Sequence, residues 1–521
     1  MRTTLLSAVF CILQSSAALI ASNEKRCSNL ASKINFGTYH AKHLNSTYHE
    51  AATVQVPNGA SNVSNDIPFC EVYASVNYAK GANLVFALWL PDNSDYNQRF
   101  LAVGNGAYGG VIDSTKMMEQ LNLGLGFVVA GGDAGHDAFA ETNGTTFGYP
   151  GLEIPFLQRK PTTEALIRNA ISILTPLSKT LTAKYYGKDP RYSYYNGCSV
   201  GGAQGLALAR YHPDLFDGIH ASAPGADHDN LILSFLWNYR AEKNVLPQEA
   251  LNLVTNAVLD LCDSQDGVKD RLLTNPLDCP FRIESLACNG TVPQTNSSSV
   301  TCLTEAQLEA FRAVYAGPTT SDTHEQIYPG YDLGSEVEWS FPIENGLSTL
   351  YTVPMLQNLV YKDTTWDPTT FNFTKAEVSY VEKIAGPLID VTDPNLSAFK
   401  ARRGKLMATH GWADTLLTPL WILGYQDRLE KANRNLDDLL RLFMVPGGGH
   451  CGIAQGYPQA PANLHVMAPL IEWVERNSKP KSVLASDPPD GSGRTRKLCP
   501  WPQTAKYKIG NKDDWESFVC V

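Results

Sequence analysis

The segment from Tyr195 to Gln204 contains a serine in a setting that favours nucleophilic chemistry. Ser199 lies between Gly197 and Gly201, which gives the pattern Gly-x-Ser-x-Gly. Because glycines leave room for a sharp bend between a strand and a helix, this pattern is typical of a turn that exposes one serine hydroxyl. A serine at its free pKa is a poor nucleophile, so the interpretation requires a histidine base and a carboxylate elsewhere in the chain.

Two residues further along the chain can supply that base and that carboxylate. His450 lies in the glycine-rich stretch Pro446 to Gly452, and Asp414 follows the strand-like run Lys405 to Thr409. The chain order Ser, Asp, His is the order that α/β-hydrolases use. Each residue also has a simpler interpretation, since glycine-rich turns with a serine are common, Asp414 can cap a helix, and His450 can be a turn histidine.

The serine and the histidine share one kind of neighbour, because Cys198 precedes Ser199 and Cys451 follows His450. If these two cysteines form a disulfide, their Cα atoms lie about 4.4 to 6.8 Å apart. Each candidate residue is one further virtual bond of about 3.8 Å away. Such a bond would bring the hydroxyl and the imidazole into one neighbourhood. An ordinary structural disulfide is the alternative interpretation.

These motifs resemble the catalytic triad of the fungal tannase and feruloyl esterase family. The two cysteines beside Ser199 and His450, together with Asp414, match a pattern in which a disulfide joins the neighbours of the nucleophile and the base. The resemblance extends to the segment Cys499 to Pro502. It implies an α/β-hydrolase core with a large inserted disulfide-rich lid. It also implies that Ser199 attacks an ester carbonyl, His450 transfers the proton and Asp414 holds the imidazolium.

The composition is that of an ordinary globular chain. Of the 521 residues, 43% are hydrophobic and 18% are charged, and the formal net charge is -10. A chain with this charge has no basic field for nucleic acid, so we expect no nucleic-acid partner.

The first residues are typical of a secretory signal peptide. Arg2 gives a positive start, an apolar run covers Leu5 to Leu13, and small residues follow as far as Ala18. We expect cleavage near Ala18 or Ala21 and assign residues 1–18 to the signal, so the mature protein is predicted to be extracellular. A membrane anchor needs about twenty apolar residues. The sequence has no such segment, so we expect no membrane attachment.

The cysteine and asparagine patterns agree with export. Of eleven cysteines, Cys11 leaves with the signal, and the even number that remains indicates disulfides. Neighbourhood in the sequence suggests four pairs, namely Cys27 with Cys70, Cys262 with Cys279, Cys288 with Cys302, and Cys499 with Cys520. The family resemblance implies a fifth, Cys198 with Cys451. Acceptor sequences for N-glycosylation occur at Asn45, Asn62, Asn143, Asn289, Asn296, Asn372 and Asn395.

Alternation of strands and helices predicts the domain organisation. Residues Cys70 to Pro91 read as a hairpin, and alternating elements resume at Lys405 after a long interruption. The interruption is rich in cysteine and aromatic residues. We therefore assign a catalytic domain to 19–226 and 401–521, and an inserted lid domain to 227–400.

An esterase of this kind also needs an oxyanion hole made of backbone N–H groups. In α/β-hydrolases one donor is the residue after the nucleophile, here Val200, and the other comes from an earlier loop. The stretch Gly104 to Gly110 follows a strand-like run, and we expect the second donor among its residues, with Gly106 as the candidate. A glycine-rich turn without a catalytic role is the alternative.

The predicted lid contains a loop rich in carboxylates. Three aspartates surround a glycine turn there, and hard cations such as calcium bind about six to eight oxygens. The loop resembles the lid calcium loop of the family, which implies a structural Ca²⁺ bound by Asp263, Asp266, Val268, Asp270 and Leu272. The aspartates would contribute side chains, and the valine and leucine would contribute carbonyl oxygens. A turn cluster without metal is the alternative.

The resemblance implies a secreted serine esterase that hydrolyses feruloyl and p-coumaroyl esters of plant cell-wall polysaccharides, such as xylan, through an acyl-enzyme. Its partners would be small phenolic esters and feruloylated polysaccharide fragments. The lid has no Lys-Arg or Arg-Arg pair for processing into two chains, which favours feruloyl esterase over tannase. Tannase, a galloyl ester hydrolase, is the alternative. A binding protein that kept a hydrolase fold without catalysis is a more distant one.

Overall fold

The computed structural model describes residues 21–58, 61–137, 154–288, 300–452 and 454–521. The predicted signal peptide and the acceptor residues Asn143, Asn289 and Asn296 lie outside these ranges. Among the helices of these ranges, none has the length and apolar character that crossing a membrane requires.

Strands and helices alternate through much of the chain. The strands are β1 Ala41–His49, β2 Gln55–Asn58, β3 Ser61–Ser64, β4 Phe69–Ala79, β5 Ala82–Pro91, β6 Arg99–Val103, β7 Phe127–Gly132, β8 Tyr192–Cys198, β9 Gly218–Ser222, β10 Lys405–Gly411, β11 Leu440–Val445, β12 Asn463–Leu464, β13 Val483–Ser486, β14 Arg496–Leu498, β15 Ala505–Tyr507 and β16 Phe518–Cys520. The α-helices are α1 Ser114–Leu121, α2 Pro155–Gln158, α3 Lys160–Glu164, α4 Ala170–Tyr186, α5 Val200–Tyr211, α6 His228–Glu242, α7 Gln248–Cys262, α8 Glu305–Ala316, α9 Ser340–Glu344, α10 Val353–Met355, α11 Lys375–Ile389, α12 Ser397–Ala401, α13 Pro419–Ala432 and α14 Met467–Arg476. Residues 21–28 are also helical.

The chain divides into two compact units. The first contains Met1–Asp137 and Asn169–Asn196, and the second contains Ala138–Arg168 and Gly197–Val521. This division follows contacts within each unit. The predicted boundary between catalytic and lid domains stays a prediction.

The first unit is built on a mixed sheet in the order β1-β4-β5-β7-β6-β8. Strands β4 and β5 form the antiparallel hairpin predicted for Cys70 to Pro91, and β6 runs parallel to β7 and β8. Every residue of β7 is buried, as expected for an apolar strand covered on both faces. Helices α1 and α4 both pack on β7.

The second unit contains the parallel strands β9, β10 and β11, with β10 in the middle. Helix α5 packs on β9, α13 packs on β10, and α14 contacts both strands. Gly411 at the end of β10 pairs with Val445 at the end of β11. Because the carboxyl ends of parallel strands meet at one edge of a sheet, the loops that follow these two residues emerge side by side.

The segment predicted as a lid is helical, and between β9 and β10 the described residues contain no strand. Its apolar core is centred on Phe311 and Trp339, which lie with their ring centroids 5.3 Å apart. The same cluster includes Ala413, from the loop after β10, and Tyr457. The predicted lid therefore shares one apolar core with the loop that carries Asp414.

All five predicted disulfides are present in the structure. They join Cys27 with Cys70, Cys198 with Cys451, Cys262 with Cys279, Cys288 with Cys302, and Cys499 with Cys520. Four of them close loops of 14 to 43 residues, whereas the Cys198–Cys451 bond spans 253 residues.

Three carboxylates meet where the start of α6 reaches the end of α11. Asp227, Asp229 and Asp390 each place an oxygen within 4.8 Å of the other two. The N–H groups of His228 and Asp229 donate to Asp390 Oδ1 at 2.9 and 3.3 Å, and Trp421 Nε1 donates to Asp227 at 3.1 Å. Burial raises the pKa of Asp229 to about 7, and burial followed by the charge of Asp229 raises the pKa of Asp390. We therefore expect this cluster to share a carboxyl proton at acidic pH.

We predict that Asp229→Asn flattens the dependence of stability on pH. Because the pKa is raised, the folded protein keeps a proton that the unfolded chain has released. The stabilisation is fully present below about pH 3.9, where the unfolded carboxyl titrates, and is lost as the pH rises to about 7. The uptake of one proton changes the free energy of unfolding by at most about 1.4 kcal/mol per pH unit.

Thermal denaturation between about pH 4 and pH 7 measures this slope. The matched control is Asp260→Asn, which removes an exposed carboxylate on α7. Equal slopes in the two variants would contradict a shared proton.

Candidate active site

Ser199 occupies the turn between β8 and α5. Its backbone has φ 64° and ψ -124°, a conformation that residues other than glycine rarely adopt. The Ser199 N–H donates to the Ser222 carbonyl at 3.1 Å, and the Ser199 carbonyl accepts from the N–H groups of Ala203 and Gly225 at 3.1 and 3.2 Å. These bonds hold the strained strand-to-helix turn that the Gly-x-Ser-x-Gly pattern predicts.

Close packing explains why a glycine is present at position 202 in this turn. A Cβ atom at Gly202 would lie 2.3 Å from the carbonyl oxygen of Ser222 and 2.8 Å from Cα of Pro224. Helix α5 therefore approaches the chain after β9 at a distance that only glycine permits. The sequence pattern drew attention to Gly197 and Gly201. The role of Gly202 depends on a tertiary contact that no local pattern contains.

Asp414 and His450 meet because they lie on the two loops that emerge side by side. A Cβ atom at Gly411 would lie 2.1 Å from the carbonyl oxygen of Gly448, so the loops are in close backbone contact. The N–H of Ala413 donates to the same carbonyl at 2.8 Å. In this arrangement His450 Nδ1 lies 2.9 Å from Asp414 Oδ2.

The Asp414 carboxylate is completely buried and accepts hydrogen bonds at both oxygens. Oδ1 accepts from the N–H groups of Leu416 and Leu417, both at 2.9 Å, and Oδ2 faces His450 and His410. Burial by itself acts to raise the pKa of Asp414. The charge of His450 and the hydrogen bonds from both histidines outweigh burial and hold the pKa well below its usual range. Asp414 therefore stays ionised and holds the Nδ1–H of His450, which leaves Nε2 of that ring as the proton acceptor.

His410 is a neighbour of this pair to which the sequence interpretation gave no role. Its side chain is buried, and its Nε2 lies 2.7 Å from the carbonyl oxygen of Leu417 and 3.2 Å from Asp414 Oδ2. Because both oxygens are acceptors, Nε2 carries a hydrogen and donates to them. His410 thus fixes the orientation of the Asp414 carboxylate. The only signal in the sequence is a spacing of four residues, which has no meaning until the turn after β10 is known.

The Cys198–Cys451 disulfide joins the serine turn to the histidine turn. Its Cα atoms are 5.9 Å apart. On the histidine side, Gly449 and Gly452 exchange backbone hydrogen bonds of 3.3 and 3.2 Å and close a tight turn around His450. The bond therefore brings Ser199 and His450, each adjacent to one of its cysteines, into one region of the second unit, where His450 also contacts Asp414.

The two predicted oxyanion donors lie in different units. Val200 is the first residue of α5, and its N–H belongs to the first helical turn, where no carbonyl of the helix is within reach. Gly106 is an exposed residue of the loop after β6, and a Cβ there would meet no atom within 4 Å. The donor roles of Val200 and Gly106 stay predictions.

The predicted calcium loop follows α7 and offers oxygen donors. Asp266 and Asp270 are buried and Asp263 is half-buried, and burial raises the pKa of Asp263 and Asp266. Among the residues that the structure describes, none donates a hydrogen bond to the carbonyl oxygen of Val268 or Leu272. Three carboxylates and two such carbonyls form an oxygen donor set that fits a hard cation.

A competing cation approaches the same loop. Arg496 from β14 forms an ion pair with Asp270, and Arg494 Nη1 lies 3.6 Å from Asp270 Oδ2. The sequence interpretation missed both arginines because they lie more than 200 residues after the loop.

We predict that Cys198→Ser with Cys451→Ser lowers catalytic efficiency more than the loss of stability explains. The disulfide closes a loop of 253 residues, worth about 5 kcal/mol in the chain-entropy model. A displacement of about 1 Å between reacting groups can cost about 100-fold in rate. We therefore expect kcat/KM for a small chromogenic ester to fall at least about tenfold at a temperature where the variant is folded.

The matched control removes Cys27 and Cys70, whose bond spans 43 residues in the other unit and is worth about 4 kcal/mol in the same model. Similar kcat/KM values for the two folded variants would show that the Cys198–Cys451 bond has no role beyond stability.

Comparison with known proteins places the chain in a family. A family model described as tannase and feruloyl esterase matches residues 70–521. A protein named "Probable feruloyl esterase B-1" from Aspergillus terreus is 29% identical over 475 residues, covering 87% of this chain and 86% of that protein. The crystal structure of feruloyl esterase B from Aspergillus oryzae matches with a TM-score of 0.81 and 26% identity, covering 96% of this chain and 100% of that chain.

A more distant structure agrees in fold. Tannin acyl hydrolase from Aspergillus niger matches with a TM-score of 0.74 and 20% identity over 92% of each chain. The structural matches, the sheets flanked by helices and the five disulfides confirm the predicted α/β-hydrolase fold. The chain therefore belongs to the tannase and feruloyl esterase family of ester hydrolases.

Proposed function

We propose that the protein is a secreted feruloyl esterase that hydrolyses hydroxycinnamate esters of plant cell-wall polysaccharides. The observation that carries the proposal is the contact of 2.9 Å between the buried Asp414 and the half-buried His450, whose turn a disulfide joins to the strained turn of Ser199. Relatives named feruloyl esterase B over most of the chain support the same acyl group.

The proposed reaction proceeds through an acyl-enzyme. Ser199 Oγ attacks the ester carbonyl carbon while His450 Nε2 accepts its proton, and the protonated imidazole then donates that proton to the leaving alcohol oxygen. Asp414 stabilises the imidazolium because it remains ionised while buried. The N–H groups of Val200 and Gly106 are proposed to stabilise the oxyanion. Water, activated by His450, then releases the phenolic acid and restores the Ser199 hydroxyl.

Export of the protein is part of this proposal. The five disulfides agree with an oxidising compartment. The acceptor residues Asn45, Asn62, Asn372 and Asn395 are exposed, so their side chains are accessible to glycosylation. Residues 1–18 are proposed as the signal peptide.

The function is tested with methyl ferulate, methyl caffeate, methyl p-coumarate and methyl gallate. We expect turnover of the hydroxycinnamates and a loss of at least about 1,000-fold in kcat/KM for Ser199→Ala, since the nucleophile cannot be replaced by its neighbours. Ser478→Ala, at an exposed position, is the matched control and should leave the rate unchanged.

Other outcomes distinguish the alternatives. Preference for methyl gallate over the hydroxycinnamates would identify a tannase and overturn the proposed acyl group. Absence of turnover together with no labelling of Ser199 by a fluorophosphonate probe would identify a protein that kept the fold without catalysis.

We also propose that the loop after α7 binds a structural calcium ion through Asp263, Asp266, Asp270 and the carbonyl oxygens of Val268 and Leu272. Calcium would supply positive charge among carboxylates whose burial disfavours ionisation. The Cys262–Cys279 disulfide encloses all five ligand residues, which limits the freedom that binding must remove.

Chelation tests this site without reference to activity. We expect EGTA to lower the melting temperature, because an ion held at about 100 times its Kd stabilises the folded state by about 2.7 kcal/mol. Asp266→Asn should lower the melting temperature and abolish the effect of EGTA, whereas the exposed Asp260→Asn should keep it. Unchanged melting of the wild type in EGTA, with no calcium found by elemental analysis, would contradict the calcium site and leave Arg494 and Arg496 as the cations that neutralise the loop.

A further inference from the structure

An open cleft of about 560 Å³ lies at the C-terminal segment of the second unit. Its lining residues are Asp437, Arg441, Lys481, Pro500, Trp501, Pro502, Gln503 and Cys520. None of them belongs to the proposed triad or to the calcium loop. The volume lies within the range of about 300 to 1,000 Å³ that is typical of small-ligand sites.

The floor of the cleft is held in place by several contacts. The Cys499–Cys520 disulfide joins the two ends of the C-terminal segment, with Cα atoms 5.5 Å apart. The Trp501 N–H donates to the Leu442 carbonyl at 2.7 Å, and the indole ring packs edge-on against Trp412 at 5.8 Å between centroids. A half-buried tryptophan is thus presented on a rigid base, which lowers the entropy lost when a ligand binds.

The polar groups around the tryptophan are of mixed type. Asp437 lies 3.1 Å from Arg441 and 2.7 Å from Lys479, and Lys479 also lies 2.9 Å from Asp438, so two carboxylates balance two cations. Lys481 and Gln503 are exposed, and their side chains form no hydrogen bond with the residues that the structure describes. They offer one cationic donor and one amide that both donates and accepts.

The tryptophan and the polar groups around it favour one class of ligand over others. A simple anion would require an unpaired cationic cluster, but Arg441 is committed to Asp437. An apolar partner would leave the ammonium group of Lys481 and the amide of Gln503 without hydrogen bonds, at a cost in free energy. A sugar ring suits both the apolar indole and the polar groups around it. Its C–H face packs on the indole, and its hydroxyl groups donate and accept hydrogen bonds at the edges.

We propose that this cleft binds a neutral oligosaccharide segment, with Trp501 under one sugar ring and Lys481 and Gln503 bonding its hydroxyl groups. For the biological ligand the inference rests on the proposed function, since the polysaccharide that carries the ester supplies such segments. A second contact with the polymer raises the effective concentration of its ester groups at Ser199.

The test uses the full-length protein and two probes, xylohexaose and cellohexaose, which contain no ester. Binding is measured by calorimetry for the wild type and for Lys481→Ala with Gln503→Ala. We expect the wild type to bind at least one hexasaccharide and the variant to lose about tenfold in affinity. Lys188→Ala with Gln55→Ala is the matched control, because it removes the same side-chain types from exposed positions that do not line the cleft.

Catalysis gives an independent readout. We expect the cleft variant to hydrolyse methyl ferulate at the wild-type rate and to show a KM raised about threefold or more on feruloylated arabinoxylan, with kcat unchanged. Trp501→Phe keeps an aromatic ring on Trp412 and should give an intermediate loss of hexasaccharide binding.

Several outcomes separate the inference from the proposed function. No hexasaccharide binding by the wild type, or equal binding by wild type and cleft variant, would overturn the oligosaccharide site even if methyl ferulate is hydrolysed. Failure to hydrolyse methyl ferulate, with hexasaccharide binding still lost in the cleft variant, would overturn the esterase proposal and leave the site standing.

Discussion

The arrangement of the site depends on the covalent bond between Cys198 and Cys451. The turn of Ser199 is held by Ser222 and Gly225, whereas the turn of His450 is closed by two glycines of its own loop. These are separate sets of hydrogen bonds on separate loops. Because each cysteine is next to one proposed catalytic residue, a bond with Cα atoms 5.9 Å apart limits how far the two turns can separate. The disulfide therefore restricts the distance between the two turns in the folded protein, and it also lowers the entropy of the unfolded chain.

Two groups of buried carboxylates show how neighbouring groups affect whether a buried carboxyl group is ionised. Asp414 and Asp229 are both almost completely buried, and burial alone disfavours their ionised forms. Asp414 faces two histidines and two backbone N–H groups, and its pKa falls. At Asp229 burial raises the pKa, the hydrogen bond with Asp390 opposes burial without reversing it, and the charge of Asp227 raises the pKa further. Equal burial therefore gives an anion suited to orient an imidazole in one place and a shared proton in the other.

The sequence predicted those parts of the site that are formed by residues close together in the chain. The Gly-x-Ser-x-Gly pattern and the cysteines next to Ser199 and His450 are visible without a fold, and four of the five disulfides join near neighbours in the chain. The roles of Gly202, His410 and Arg496 were not predicted, because each depends on a residue that only folding brings near. Gly202 packs against the carbonyl of Ser222, and His410 donates to a carbonyl in the turn after β10. Arg496 pairs with Asp270, which lies 226 residues earlier in the chain.

Trp412 connects the features that lie around the proposed triad. It is two residues before Asp414, and its Nε1 donates at 3.1 Å to the carbonyl of Thr274, just after the proposed calcium loop. Its ring packs against Trp501 in the cleft. Trp412 is 2% exposed, and the hydrogen bond to Thr274 and the ring contact with Trp501 hold its indole on two sides. Trp412 therefore supports the loop of Asp414 from two sides, at the end of the proposed calcium loop and at the cleft.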